Sequence, residues 1–191
     1  MSYDIHVYHL AATPAAVIRA RVAPDRVAGW LRRAYRSVGE RLASDGIAPA
    51  GPAFACYTVD GDAVEVEAGY PVRVALDGDG LVMPSGLPGG PAAVTVHKGG
   101  LERVDAAYRR IGIWLARHHL RSHGRHWEQY LVGLATNDGD RSRWRTEIVV
   151  PYRWDTVLVG GDPEDQDIAW PGAGYHDEYH SRYAVDLAAA R

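Results

Sequence analysis

The chain has 191 residues, of which 47% are hydrophobic and 24% charged, a globular composition that excludes wholesale disorder. Its 21 Lys and Arg against 24 Asp and Glu leave a net charge of -3, which argues against a broadly basic nucleic-acid binder. The single cysteine, Cys56, rules out an intrachain disulfide and any cysteine-based zinc site.

At the N-terminus, Asp4 and His6 interrupt any basic-then-apolar run, so no signal peptide is expected. No stretch of the chain approaches the roughly 18 apolar residues of a membrane span. A soluble, cytoplasmic protein without membrane association is the expectation. Ala15–Val22 reads as a strand, and residues 26–44 read as an amphipathic helix with Val27, Trp30, Leu31, Ala34, Val38 and Leu42 on one stripe. Strands follow at Ala53–Val59 and Ala63–Gly69, joined by the hairpin signal Asp60-Gly61-Asp62. In the second of these, Val64, Val66 and Ala68 alternate with Glu65 and Glu67, as in a sheet with one wet face. Leu87-Pro88-Gly89-Gly90-Pro91 lacks the lysine and hydroxyl of a phosphate loop and reads as a connector. A strand at Ala92–His97 then leads to a second amphipathic helix over 101–119, carrying Leu101, Val104, Tyr108, Ile111 and Leu115. Strands at Trp127–Gly133 and Arg143–Val150 complete the pattern.

The two halves align at an offset of 73 residues. Leu31 falls on Val104, Ala34-Tyr35 on Ala107-Tyr108, Val38 on Ile111 and Leu42 on Leu115; Gly51 falls on Gly124, Phe54 on Trp127 and Tyr57 on Tyr130. Paired aromatics and a glycine in one register point to duplication. The expected fold is therefore α+β: two β-α-β-β modules, about 1–72 and 90–151, forming an antiparallel sheet with two helices around a pseudo-twofold cleft. Clefts between modules are common ligand sites. Residues 152–191 carry 3 basic and 8 acidic residues and form a separate acidic, aromatic tail with Trp170, Tyr175, Tyr179 and Tyr183.

Glu128 breaks the repeat, because its counterpart is Ala55. Strand alternation puts Glu128 on one face with Tyr130 and Val132. A carboxylate among aromatics either has its pKa raised by desolvation or is neutralised by a cation, with ring faces adding cation–π attraction. The plain alternative is a solvent-facing glutamate, or one paired with Arg143 or Arg145. Tyr57 and Tyr130 would face the cleft or pack in the core with their hydroxyls at the rim. Tyr108 lies on the apolar stripe and reads first as core, whereas Trp114 lies off the stripe and suits cleft lining. Trp144 reads as core.

The histidines His118, His119, His123 and His126 cluster after the second helix without a nearby carboxylate, and no metal site is expected there. His176-Asp177-Glu178-Tyr179-His180 misplaces the glutamate of the zinc-protease motif. Nucleophile-elbow, phosphate-loop and dinucleotide-binding signatures are missing, so no cofactor is called for. Arg26, Arg32, Arg33, Arg36 and Arg41 stud the first helix and read as a solvated face, not a nucleic-acid surface.

The sequence resembles the GyrI-like small-molecule-binding family, whose domains also serve as effector-binding parts of multidrug-responsive transcription regulators. The resemblance rests on Gly51-Pro52-Ala53-Phe54-Ala55-Cys56-Tyr57, Val64–Val72, Leu87-Pro88-Gly89-Gly90, His97-Lys98-Gly99-Gly100, Trp127-Glu128-Gln129-Tyr130 and Trp144-Arg145-Thr146-Glu147-Ile148, in that order over about residues 15–151. It implies duplicated strand–helix–strand–strand modules around an aromatic cleft. It also implies that Glu128, at the glutamate of the Trp-Glu-x-Tyr pattern, meets lipophilic and often cationic ligands. Certain stand-alone members hydrolyse the cyclopropane of DNA-alkylating antibiotics with a glutamate and a tyrosine.

Three functions follow as expectations. One is a binding module in which Glu128, Tyr57, Tyr130, Trp127, Tyr108, Trp114 and Phe54 take a hydrophobic or cationic small molecule for sequestration, sensing or resistance, with no direct nucleic-acid contact. The second is a cofactor-independent hydrolase in which Glu128 is the general base and Tyr57 or Tyr130 the proton donor. The third is a protein-interaction domain, its cleft filled by its own side chains. A homodimer is compatible with each, and the tail would dock in the cleft or on a neighbouring subunit.

Overall fold

The computed structural model describes residues 3–60, 63–135 and 139–154. Strands β1 (His6–Leu10) and β2 (Thr13–Val22) lead through a 3-10 turn at Pro24–Arg26 into helix α1 (Val27–Ser44). Strands β3 (Phe54–Asp60), β4 (Ala63–Pro71), β5 (Met83–Leu87) and β6 (Gly90–Lys98) follow. A second 3-10 turn at Leu101–Arg103 then precedes helix α2 (Asp105–Arg117), and β7 (Leu120–Ser122), β8 (Trp127–Val132) and β9 (Arg145–Trp154) complete the order.

The strands form one curved antiparallel sheet in the order β1-β6-β9-β8-β3-β4-β2-β5, with β7 added beside β9. Outward from the β8–β3 junction, the order is β9, β6, β1 on one side and β4, β2, β5 on the other. The units β2-α1-β3-β4 and β6-α2-β8-β9 thus repeat one pattern, and the α+β fold with two helices on an antiparallel sheet is as the sequence predicts. No helix among the described residues is long and apolar enough to cross a membrane.

Both helices lie on one face of the sheet. α1 buries Leu31, Ala34, Tyr35, Val38 and Leu42 against Ala16, Ala55, Val66 and Ala68, the side chains its three-and-four stripe was read to cover. α2 buries Ala107, Ile111 and Leu115 against Ala93, Ile148 and Val150. The opposite face collects Leu10, Val17, Phe54, Leu87, Val94, Trp127 and Val149 from both halves into a further core.

Some elements differ from expectation. β1, β5 and β7 add strands at three places where no strand was predicted. The second helix starts at Asp105, not residue 101, because Leu101–Arg103 closes as a 3-10 turn in which Val104 N–H donates to the Leu101 carbonyl. It ends at Arg117, and His119 turns the chain with a φ of 56°. β9 runs through residues 152–154 and pairs there with β7. The two turn residues of the Asp60-Gly61-Asp62 link, the tail aromatics and the His176–His180 motif lie outside the described residues.

Two glycine substitutions test this packing in opposite directions. A Cβ on Gly69 of β4 would run into the Ala16 carbonyl of neighbouring β2, whereas one on Gly112 of α2 meets nothing within 4 Å. Thermal melting should show Gly69→Ala destabilised by about 1–3 kcal/mol and Gly112→Ala stabilised by up to about 1 kcal/mol.

Candidate functional site

The junction between the halves is short. β3 and β8 pair only through Phe54 with Gln129 and Ala55 with Glu128. Alternation then assigns faces: Ala55, Tyr57, Glu128 and Tyr130 lie on the helix side, and Phe54, Cys56, Trp127 and Gln129 on the other. The methyl group of Ala55 directly opposite Glu128 leaves the larger carboxylate room between the helices.

Glu128 is 5% exposed. The Tyr130 hydroxyl donates to Oε2 at 2.8 Å, and the Tyr108 hydroxyl of α2 donates to Oε1 at 3.2 Å. The Tyr57 and Tyr130 hydroxyls are 2.5 Å apart. Because Tyr130 spends its one proton on Glu128, Tyr57 is the donor in that pair, and a relay runs Tyr57 to Tyr130 to Glu128. Tyr35 of α1 widens the aromatic cluster, its ring centroid 6.0 Å from Tyr130 and 5.9 Å from Tyr70, while its hydroxyl donates to the Phe54 carbonyl. His126 meets the Tyr108 ring edge-on at 5.4 Å.

Burial pushes the Glu128 carboxyl above the ordinary glutamate range, and the two tyrosine hydrogen bonds pull it only part of the way back. Burial likewise raises Tyr57, Tyr108 and Tyr130, so their hydroxyls remain donors at neutral pH. Among the described residues no arginine or lysine pairs with Glu128. The site is an aromatic cluster around a buried acidic group, the arrangement of a small-molecule-binding cleft.

A second buried glutamate has the opposite solution. Glu67, on the other face, is 8% exposed and receives Arg19 Nε at 2.5 Å, Ser85 Oγ at 2.8 Å and Arg125 Nη2. Burial raises its pKa, but those three donors outweigh burial and hold it below the ordinary value. Glu67, which alternation in the sequence puts on a wet face, is buried, and Arg125, for which the sequence carries no signal, is one of its partners. The row beyond Tyr130 likewise goes unpredicted from the sequence. There Thr146 and His97 occupy the positions that Val66 and Ala20 occupy beside Tyr57. His97 is buried between the Tyr3 hydroxyl and the Gly100 carbonyl, and the buried Thr146 hydroxyl has no hydrogen-bond partner among the described residues.

Of the residues singled out from sequence, Glu128, Tyr57, Tyr130 and Tyr108 come together. Tyr108 combines the core position read from its stripe with a direct bond to the carboxylate. Trp127 and Phe54 do not join them, because strand alternation buries both in the opposite core at 1% and 0% exposure. Trp114 stacks on His118 at 4.2 Å and meets Tyr152 at 6.3 Å, packing within the α2 cluster instead of beside Glu128. Trp144 packs against the α1 core with Arg141 5.6 Å above its ring. The Arg145 guanidinium donates to the Ser142 and Trp144 carbonyls and not to Glu128.

A profile of the GyrI-like small molecule binding domain matches residues 3–153. No curated protein matches the chain. Among solved structures, the C-terminal domain of EcmrR is 19% identical with a TM-score of 0.70, over 81% of this chain and 99% of that one. In a complex of EcmrR with DNA, the match has a TM-score of 0.69 at 19% identity, over 80% of this chain, which spans 58% of the EcmrR chain. SAV2435 bound to tetraphenylphosphonium matches at 14% identity with a TM-score of 0.57, over 80% of this chain and 94% of that one. A hydrolase from Listeria innocua matches at 10% identity with a TM-score of 0.55, over 78% and 91%. At these identities the likeness is one of fold.

The two glutamates should respond oppositely to pH. Glu67 has a lowered folded pKa, so its stabilisation is present above the unfolded value of about 4.3 and fades as pH falls through the folded one. Glu128 has a raised folded pKa, so its ionisation costs stability as pH rises past the unfolded value, and the cost is complete above the folded one. Thermal melts between about pH 4 and 8 should show Glu67→Gln increasingly less stable than the parent as pH rises, and Glu128→Gln gaining on the parent over the same range.

Proposed function

The chain belongs to the GyrI-like small molecule binding domain family, and from that premise we propose that it takes up lipophilic organic cations, with Glu128 as the counter-ion. The observation that carries this reading is the buried Glu128 carboxylate, held by tyrosine hydroxyls and matched by no protein guanidinium or ammonium among the described residues. Charge burial is expensive without a partner. Hydroxyl dipoles offset part of that cost, and a bound cation offsets the rest in a setting where water does not screen the attraction. Tyr57 and Tyr108 are only half-buried, and a cation reaching the carboxylate beside them would meet aromatic faces that attract it. The complex of SAV2435 with tetraphenylphosphonium supports the choice of ligand class. Binding alone would serve sequestration, or sensing when joined to a partner.

Proton release accompanies uptake. Free Glu128 holds its proton more firmly than an ordinary glutamate, and a cation favours the ionised form. Acid therefore competes with the ligand.

One observation favours a second reading. The relay from Tyr57 through Tyr130 to a carboxylate of raised pKa has the parts of a general base with an adjacent hydroxyl donor. In that reading Glu128 activates water for attack on a strained cyclopropane, and Tyr57 or Tyr130 donates to the carbonyl oxygen where negative charge develops. The match to the Listeria innocua hydrolase is of the same fold.

Calorimetric titration with tetraphenylphosphonium separates these expectations from a closed cleft. Affinity should fall as pH drops below the Glu128 pKa, and Glu128→Gln should weaken binding by about 2–3 kcal/mol, roughly 30- to 150-fold. Equal affinity in parent and variant would refute the counter-ion role. Mass analysis of a neutral cyclopropane-bearing alkylator after long incubation decides the second reading: turnover lost in Glu128→Gln with binding kept supports it, and unchanged compound with the parent protein excludes it for that compound.

A further inference from the structure

The sheet face opposite Glu128 holds a cavity of about 470 Å³, within the range that encloses organic ligands. Its charges come from three elements. On β2 and β4, Arg19 stands directly opposite Glu67 and Arg21 directly opposite Glu65, two cross-strand pairs of opposite sign. Arg125 enters from the segment before β8 and, among the described residues, has no acidic counterpart besides Glu67. It shares Glu67 with Arg19, and the same Nη2 donates to Cys56 Sγ at 3.1 Å. Among the described lining residues three arginines stand against two glutamates, and Arg125 is the arginine without a cross-strand glutamate.

That guanidinium also has donors to spare. Nη2 is committed to Glu67 and Cys56, while Nε and Nη1 carry three further N–H groups that no protein acceptor takes among the described residues. The Arg125 side chain is 46% exposed beside a carboxylate side chain that is 9% exposed, so its charge is fixed in position yet open to the cavity. Cys56 is 7% exposed, and burial raises its thiol pKa, which makes it a soft neutral wall beside the arginine. A fixed, singly positive, planar donor in the lining of a cavity of organic dimensions is complementary to a carboxylate with an apolar body.

We propose that this cavity is a second binding site, separate from Glu128, that takes a small organic monocarboxylate through Arg125. The carboxylate accepts from the Arg125 nitrogens not used by Glu67, and the ligand body lies over Cys56. The same sheet then carries a cation site on its helix face and an anion site on the other, with Ala55 and Cys56 of β3 as adjacent residues of the two.

Cys56 is the only thiol in the chain and supplies the readout. Sodium benzoate is titrated into the full chain, Cys56 is alkylated by limiting iodoacetamide, and the modified fraction is counted by mass spectrometry. Benzamide, which has the same shape without the charge, and inorganic phosphate at equal ionic strength are run in parallel. Benzoate should slow alkylation several-fold and saturably, while the two controls leave it unchanged. Calorimetry of the unmodified chain should give one benzoate site. Arg125→Gln, checked for the parent's far-ultraviolet circular dichroism, should lose both the protection and the heat, and Arg125→Lys should retain part of each. The proposal is overturned by absent benzoate binding in the parent, by equal protection from benzamide, by protection from phosphate alone, or by protection that survives in Arg125→Gln.

Discussion

A buried carboxylate that no arginine or lysine among the described residues pairs is the constraint around which the rest of the site is arranged. Glu128 is almost as inaccessible as the aliphatic core, and its contacts are phenol hydroxyls from β8 and α2. Hydroxyls can hold such a group in either protonation state, since they donate to an ionised oxygen and tolerate a neutral one. A guanidinium in their place would have fixed the charge permanently. The chain does build that other solution at Glu67, one face away, where Arg19 and Arg125 keep the carboxyl ionised. The contrast between the two glutamates separates a carboxylate paired within the protein from one that, in the function proposed above, receives its charge partner from a ligand.

The fold supplies this arrangement through its seam. The β3–β8 backbone register is confined to two residue pairs, and both helices lie on the same side of it. Each repeat contributes a tyrosine at the matched position, Tyr57 and Tyr130, and their hydroxyls meet across the pseudo-twofold relation at 2.5 Å. What breaks the symmetry is chemical: Ala55 in one half stands opposite Glu128 in the other. Two copies of one module thereby make a single acidic position, with an alanine providing space for the glutamate. The polar row through Thr146 and His97 continues this asymmetry, because the matched positions Val66 and Ala20 are apolar.

Much of this was legible in the chain itself. The helix stripes were readable because burial of one face demands three-and-four spacing, and the repeat was readable because Tyr57 and Tyr130 fall in one register. Glu128 stood out as the residue whose partner position is alanine. Period-two alternation also implied that Trp127 and Phe54 lie behind the strands bearing Glu128 and Ala55, and grouping them with the ligand site disregarded that rule. β1 and β5 escaped notice for a different reason. His6–Leu10 and Met83–Leu87 are short edge strands containing His, or Pro and Gly, and long-range pairing with β6 and β2 holds them in the sheet. The Glu67 cluster was hidden because alternation with valine and alanine marks a face as polar, whereas sheet curvature and Arg125, distant in sequence, decide whether that face is wet. A cue was present in the matched Arg19 and Arg21 against Glu65 and Glu67.

The central claim concerns the charge state of one side chain, and it is most directly tested by following the Glu128 carboxyl carbon through a pH titration by nuclear magnetic resonance, free and with saturating tetraphenylphosphonium. Glu128 should titrate above the ordinary glutamate range in the free protein and move to lower pH when the cation is bound, with Glu67 titrating below that range in both states. A Glu128 resonance with an ordinary midpoint, unmoved by the cation, would contradict the account.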